Sequence, residues 1–298
     1  MHKKRTKITI VLTLALAAIL FFTGCAKNDS ITIGSKDFGE NIVIAEMLSQ
    51  LVETHTDLKV NRKLNLGGTF VNFNAIKNNQ IDLYPEYTGT GLTAHLKMDV
   101  VNDPDESYRI VSEEFVKQWD IVWLEPFGFN NTYTLAVTPE VYEKYGVETY
   151  SDLIPYAGEM VFGAEHEFFD RQDGFDGLVE MYGLNFKGEP MKLNASLKYQ
   201  AIGRGDMDVT NAFATDGPIK QYSLKILEDD LGFFPPYHAA PIVRKEVLDK
   251  HPELKSVLNM LAGKLDDATM TELNYLVDVE GKAVEQVAKE FLTSLNLV

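Results

Sequence analysis

Between Ile31 and Tyr84 the period of the apolar pattern switches back and forth, and that alternation restricts the fold more than any other feature of the chain. Ile31-Thr32-Ile33-Gly34 alternates in period two, as a strand does. Ile44, Met47, Leu48, Leu51 and Val52 then recur at helical spacing across residues 40–54. Residues 58–63 alternate again, Leu66-Gly67-Gly68-Thr69 makes a turn, and residues 69–79 place Phe70, Phe73 and Ile76 on one helix face. Ile81-Asp82-Leu83-Tyr84 closes the series as a strand. Strands separated by helices cannot pair as hairpins, so the pattern demands parallel strands joined by helical crossovers, an α/β sheet covered by helices.

Ile81-Asp82-Leu83-Tyr84-Pro85-Glu86-Tyr87-Thr88-Gly89-Thr90-Gly91 is expected to run as a strand, break at Pro85, turn through two glycines and enter a helix near Leu92. Strand, turn and helix start is where such sheets present backbone N–H groups to a ligand. Tyr87, Thr88 and Thr90 sit there, although a single Tyr more often caps a core. A helix over residues 107–119 and a strand over 120–124 follow, then a less regular stretch over 127–137. Thr138-Pro139 opens a helix, with Pro at a permitted first-turn position.

The strand–helix pattern then restarts. Strands are expected at Val161-Phe162, Met191-Lys192-Leu193, 207–212 and 224–227, with a long helix over 173–182 and another over 196–202. Phe233-Phe234-Pro235-Pro236-Tyr237 interrupts it, residues 240–243 return as a strand, and three or four amphipathic helices fill 245–295. Two α/β units without a Gly- or Ser-rich linker suggest two lobes, 31–132 plus 238–298 and 133–237. The chain would cross near 132–138 and 232–238, which makes a hinge.

A length of 298 residues suits two such lobes. With 28 Lys and Arg against 44 Asp and Glu, a net charge of -16 argues against a nucleic-acid partner. The N-terminus reads as a signal peptide over residues 1–24: basic Lys3, Lys4, Arg5 and Lys7, an apolar run over 8–22, then Thr23-Gly24. Cys25 is the sole cysteine, which rules out an internal disulfide. Its place directly after Gly24 resembles a lipobox, with Phe22 where Leu is usual. The resemblance implies a diacylated Cys25, a lipidated tether over 25–30, and a chain held on the extracytoplasmic face of the cell membrane.

Catalysis has little support. His166-Glu167-Phe168-Phe169-Asp170 lacks the second His of a zinc helix, the six His are scattered, no Gly-x-Ser-x-Gly occurs, and Gly67-Gly68-Thr69 is too short for a phosphate loop. No metal or cofactor is expected.

Tyr84-Pro85-Glu86-Tyr87-Thr88-Gly89-Thr90-Gly91, Arg171-Gln172-Asp173-Gly174 and Phe233-Phe234-Pro235-Pro236-Tyr237, in that order, resemble the substrate-binding lipoproteins of osmoprotectant ABC importers for glycine betaine, carnitine and choline. The likeness runs from Ile31 to the helices after Tyr275. It implies a two-lobed type II periplasmic-binding-protein fold, a ligand in the inter-lobe cleft, and a monomer that serves an ABC permease with its ATPase subunits and performs no reaction itself. It also implies an aromatic cage for a trimethylammonium head, matched here by Tyr87, Tyr133, Phe213 and Tyr237. Phe213 stands where Tyr is usual, so a ring face is kept and a hydroxyl lost. A ligand carboxylate would meet Lys36, Thr90 and Arg171, with Asn131 beside the methyl groups. Lys36 could instead be a loop charge, and Arg171 could pair with Asp170 or Asp173. On the carboxylate-clamp reading choline binds weakly, because it would leave two buried cations without an anion. Alternatives are a choline- or ergothioneine-specific receptor of the same fold, a sensor lipoprotein without transport, or, from another class, a lipid-anchored hydrolase.

Overall fold

A computed structural model describes residues 29–171 and 173–298. The expected signal peptide, Cys25 and most of the tether lie outside the described residues. The strands are β1 (Ser30–Gly34), β2 (Lys59–Lys63), β3 (Leu83–Tyr87), β4 (Ile121–Trp123), β5 (Tyr133–Val137), β6 (Phe162–Glu165), β7 (Met191–Leu193), β8 (Val209–Phe213), β9 (Lys225–Ile226) and β10 (Ala239–Arg244). They form two five-stranded sheets, in the orders β2-β1-β3-β10-β4 and β7-β6-β8-β5-β9.

The two sheets share one plan. In the first, β1 pairs in parallel with β2 and β3, and β10 enters antiparallel between β3 and β4. In the second, β6 pairs in parallel with β7 and β8, and β5 enters antiparallel between β8 and β9. Helices α1 (Gly39–His55) and α2 (Thr69–Lys77) make the first two crossovers, as the alternating periods require. Helix α1 buries Val43, Ile44, Met47, Leu48, Leu51 and Val52. It is buried because Glu253–Leu258, Asp267–Asp278 and Val284–Ser294 also pack on it. Each of its large apolar side chains contributes about 1.5–3 kcal/mol by leaving water.

Pro85 does not break the strand. β3 runs through it, and Pro85 lies opposite Pro241 of β10. Such a pair fits an antiparallel ladder at a non-hydrogen-bonded position, where neither residue must donate an N–H across. Helical backbone then starts at Thr88–Thr90 and continues as a π-helical turn at Gly91–His95. The two glycines serve close approach. A Cβ at Gly89 would lie 2.7 Å from the Tyr237 ring, and one at Gly91 would lie 2.8 Å from the Trp123 ring.

The long helix expected over 173–182 is shorter and stands apart. His166–Asp170 ends, the chain turns at Gly174, and Phe175–Tyr182 begins. A Cβ at Gly174 would sit 2.0 Å from the Phe168 carbonyl oxygen, so the turn is too tight for any other residue. Thr138-Pro139 does open a helix, Pro139–Tyr145, and Thr138 caps it, its hydroxyl accepting the Val141 N–H at 3.3 Å.

The chain passes from the first sheet to the second between Trp123 and Tyr133, and returns between Ile226 and Ala239. The two passages touch. Asn130 and His238 form an antiparallel bridge, the Asn131 N–H donates to the Tyr237 carbonyl at 3.2 Å, and the Tyr237 N–H donates to Asn130 Oδ1 at 2.7 Å. Asn131, Tyr133 and Tyr237 are thereby brought together at the seam.

Candidate functional site

One cavity is lined by Lys36, Tyr87, Thr90, Asn131, Tyr133, Arg171, Phe213 and Tyr237, which are all the candidate site residues other than Cys25. Counting its open mouth, it encloses about 520 Å³. Lys36 follows β1, Tyr87 ends β3, Phe213 ends β8, and Arg171 follows the helix after β6. These are the carboxyl ends of parallel-paired strands, where open α/β sheets place their ligands. All eight are buried except Phe213, which is half-buried.

The rings form one cluster. Tyr133 lies 4.4 Å from Phe213 between centroids and 5.5 Å from Tyr237, edge to face. Phe38, which the sequence reading missed, stacks on Phe213 at 5.7 Å and reaches Tyr87 at 6.1 Å. It therefore links the two sides of the cage. Its only signal was position, in the same turn as Lys36.

Each cage tyrosine donates its hydroxyl to a buried carboxylate. Tyr87 donates to Glu40 Oε1 at 2.8 Å, Tyr133 to Glu165 Oε1 at 3.5 Å, and Tyr237 to Asp173 Oδ2. Burial pushes all three hydroxyls well above the usual tyrosine range, so they stay protonated and keep donating. The acceptors fix the planes of the rings, while Phe213 has no such handle.

Every cation near the cage carries its own anion. Lys36 Nζ lies 2.5 Å from Glu86 Oε1 and donates to Thr69 Oγ1 at 3.0 Å. Arg171 binds Asp173 through Nε at 2.8 Å and Nη2 at 2.6 Å, and its Nη1 reaches Thr90 Oγ1 at 3.4 Å. Lys198 pairs with Glu165 at 2.7 Å. Burial opposes ionisation of Glu86, but Lys36 and His95 outweigh it and hold the carboxyl at about 2. Burial likewise opposes the charge on Asp173, and Arg171 outweighs it to keep this acid below its usual range.

These pairs correct one expectation. Choline would not leave Lys36 and Arg171 without an anion, because Glu86 and Asp173 already neutralise them. The cations also lie against the cage: Lys36 is 5.0 Å from the Tyr87 ring centre, Arg171 is 5.3 Å from Tyr133, and Lys198 is 5.2 Å from Phe213. Asn131 is committed as well, donating to Glu40 Oε1 at 2.7 Å and accepting the Thr215 N–H at 3.3 Å. Among the described residues no group of three or more His, Cys, Asp or Glu could hold a metal ion, and no helix is long and apolar enough to cross a membrane.

A family described as the substrate binding domain of ABC-type glycine betaine transport systems, OpuAC, matches residues 29–294. The chain is 34% identical over 302 residues to the carnitine transport binding protein OpuCC of Listeria monocytogenes, covering 98% of each. It is 35% identical over 295 residues to the ergothioneine transport permease/ergothioneine binding protein EgtU of Helicobacter pylori. That match covers 98% of this chain but spans only 53% of the relative, about half its length. A solved structure of a glycine betaine/carnitine/choline ABC transporter superposes with a TM-score of 0.74 at 35% identity, covering 90% of this chain and 99% of that one. The two sheets, the cavity between them and these matches together show that the chain belongs to the family of substrate-binding domains of ABC-type glycine betaine transport systems.

Proposed function

We propose that the cavity binds a quaternary-ammonium compound of the glycine betaine or carnitine type, and that the protein delivers it to an ABC permease served by separate ATPase subunits. The convergence of Tyr87, Tyr133, Phe213 and Tyr237 on one buried cavity carries this reading. A quaternary ammonium has no N–H to donate, so hydrogen bonds cannot hold it. Aromatic faces can, at about 0.5–2 kcal/mol for each close contact. Lys36, Thr90 and Arg171 receive the carboxylate end, sharing their charge with Glu86 and Asp173. This chain performs no reaction.

The lobes, 31–132 plus 238–298 and 133–237, close on the ligand by bending at the crossovers near 132–138 and 232–238. Residues from both sides line the cavity, which supports that motion. Removal of residues 1–24 and acylation of Cys25 would hold the receptor, as a monomer, on the extracytoplasmic face of the cell membrane. Thermal-shift and calorimetric titration of the purified protein against glycine betaine, carnitine, choline and ergothioneine test the reading. A ligand at a hundred times its Kd adds about 2.7 kcal/mol of stability. The expected result is a clear rise in melting temperature with at least one of them. No shift and no heat with any of the four would refute it.

A further inference from the structure

Resting on that reading of the cavity, we infer that Glu167 selects ligands by their tails, favouring trimethylammonium compounds that carry an N–H or O–H hydrogen-bond donor. Glu167 lines the cavity, on the helix His166–Asp170 that follows β6. Its Oε2 accepts the Thr69 N–H at 3.1 Å, from the first turn of α2 on the opposite sheet. Gly68 leaves room for this contact, since a Cβ there would lie 2.2 Å from Oε2. The other oxygen, Oε1, is buried and accepts no hydrogen bond from the described residues, and Arg171 Nη1 lies 3.9 Å from it in a long ion pair.

The charge balance points the same way. Lys36, Arg171 and Lys198 are matched one to one by Glu86, Asp173 and Glu165. Glu167 shares Arg171 with the closer Asp173, so the cavity wall, on which Asp37 also lies, keeps a surplus of negative charge, and Glu167 Oε1 has no donor among the described residues. A buried acceptor without a partner is costly, and a ligand donor removes that cost. Glycine betaine has a carboxylate tail and no N–H or O–H, so it offers Glu167 nothing and adds a like charge nearby. A hydroxyl or an imidazole N–H on the ligand satisfies Oε1. The latch to Thr69 gives Glu167 a structural role too, but a latch alone treats every ligand in the same way.

The matched pair that separates these roles is carnitine and its analogue lacking the hydroxyl, γ-butyrobetaine. Ergothioneine serves as the N–H donor and glycine betaine as the ligand with no donor. Each is titrated calorimetrically against the wild type, Glu167→Ala and Glu167→Gln, with folding checked by circular dichroism. The expected result is a wild-type preference of at least tenfold for carnitine over γ-butyrobetaine, or for ergothioneine over glycine betaine. Which preference appears identifies the donor as hydroxyl or imidazole. Glu167→Ala should collapse that ratio about tenfold, and Glu167→Gln, which retains an acceptor oxygen, should keep part of it. Equal affinities within both wild-type pairs, or a loss in Glu167→Ala that is uniform across all four ligands, overturns the inference alone. Failure of all four to bind the wild type overturns the quaternary-ammonium reading and the inference with it.

Discussion

Glu40 sits behind the cage wall as a buried carboxyl with no basic partner among the described residues, and replacing it by Gln should change how stability depends on pH. Four side-chain donors face it: the Tyr87 hydroxyl at 2.8 Å, Asn131 Nδ2 at 2.7 Å, the Thr215 hydroxyl at 2.5 Å and Asn274 Nδ2 at 2.9 Å. These favour the anion. Burial opposes it, aided by the negative field of Asp216, and burial wins, raising the carboxyl from 4.5 to about 7. Between those two values the folded protein binds more protons than the unfolded chain, so stability falls as pH rises through the window and levels off above it. A displacement of about 2.5 pH units at 1.36 kcal/mol each is roughly 3 kcal/mol. For a chain of this size that corresponds to about 5 °C in Tm.

Gln cannot ionise, so it removes this slope. Asp278, which burial likewise raises to about 7, and Asp216, also raised by burial, remain to give the variant a weaker slope of the same sign. The assay is the difference in Tm between Glu40→Gln and wild type, by calorimetry at pH 5 and pH 8. Because the unfolded carboxyl is already mostly ionised at pH 5, about 2.5 kcal/mol of that destabilisation falls between the two pH values, and the difference should become more favourable to the variant by about 4 °C at the higher pH. A difference that stays constant within 1 °C would show that Glu40 does not titrate in this window, and that its four donors outweigh its burial.

Tyr87→Ala or Tyr237→Ala should weaken betaine binding at least tenfold without unfolding the protein, since each ring supplies ~1–2 kcal/mol; unchanged calorimetric affinity in both would remove them from the site. Thr90→Asp should weaken carboxylated ligands at least tenfold, because a new anion would face Arg171 Nη1 and the ligand tail, and equal titrations for variant and wild type would count against the clamp. Cys25→Ser should leave the protein unlipidated, either released or uncleaved, and membrane fractionation at mature size as in wild type would refute the anchor. Added betaine should shrink the radius of gyration in X-ray scattering, and an identical curve at saturation would argue against closure.

How much of this was legible in the sequence differs by residue. The parallel-sheet plan could be read from the switching periods around Ile33, Leu48 and Phe73, because burial of a strand or helix face leaves a period in the chain. Tyr87, Thr90, Arg171 and Tyr237 stand in the three short motifs, Lys36, Asn131, Tyr133 and Phe213 followed only from the family likeness, and all eight line one cavity. The carboxylates could not be read in either way. On a chain with 44 acidic residues, Glu40 and Glu165 look like solvated surface until tertiary contacts bury them, and Glu167 does until the cavity it lines is seen. Glu86 did leave a signal: it stands inside β3, Leu-Tyr-Pro-Glu-Tyr, where every residue is buried, and an acid in such a strand must have a partner. Pro85 misled because the rule that proline ends a strand assumes a donor is needed, and Pro241 opposite it needs none.

The arrangement of acids behind the rings bears on why a cage of tyrosines suits a strongly acidic chain. A phenol that donates to a carboxylate holds its ring in one plane, and the acceptor's negative charge enriches the ring that a cation approaches. Tyr133 and Tyr237 have such an acceptor, and Tyr87 gains one where Glu40 ionises, near pH 7. Two of the acceptors, Asp173 and Glu165, are simultaneously ion-paired to Arg171 and Lys198, which lie against the Tyr133 and Phe213 rings. The same carboxylates therefore orient the rings and neutralise the cations that share them. On the proposed reading, a trimethylammonium group entering this cage would meet rings that already lie against Lys36, Arg171 and Lys198, in a wall where Glu86, Asp173 and Glu165 neutralise those cations. On that same reading, attraction for the ligand's head then comes from the rings. Recognition of its tail has to compete with Glu86 and Asp173 for Lys36 and Arg171. Discrimination among ligands with the same head thus falls to the tail, where one carboxylate oxygen, Glu167 Oε1, still lacks a donor.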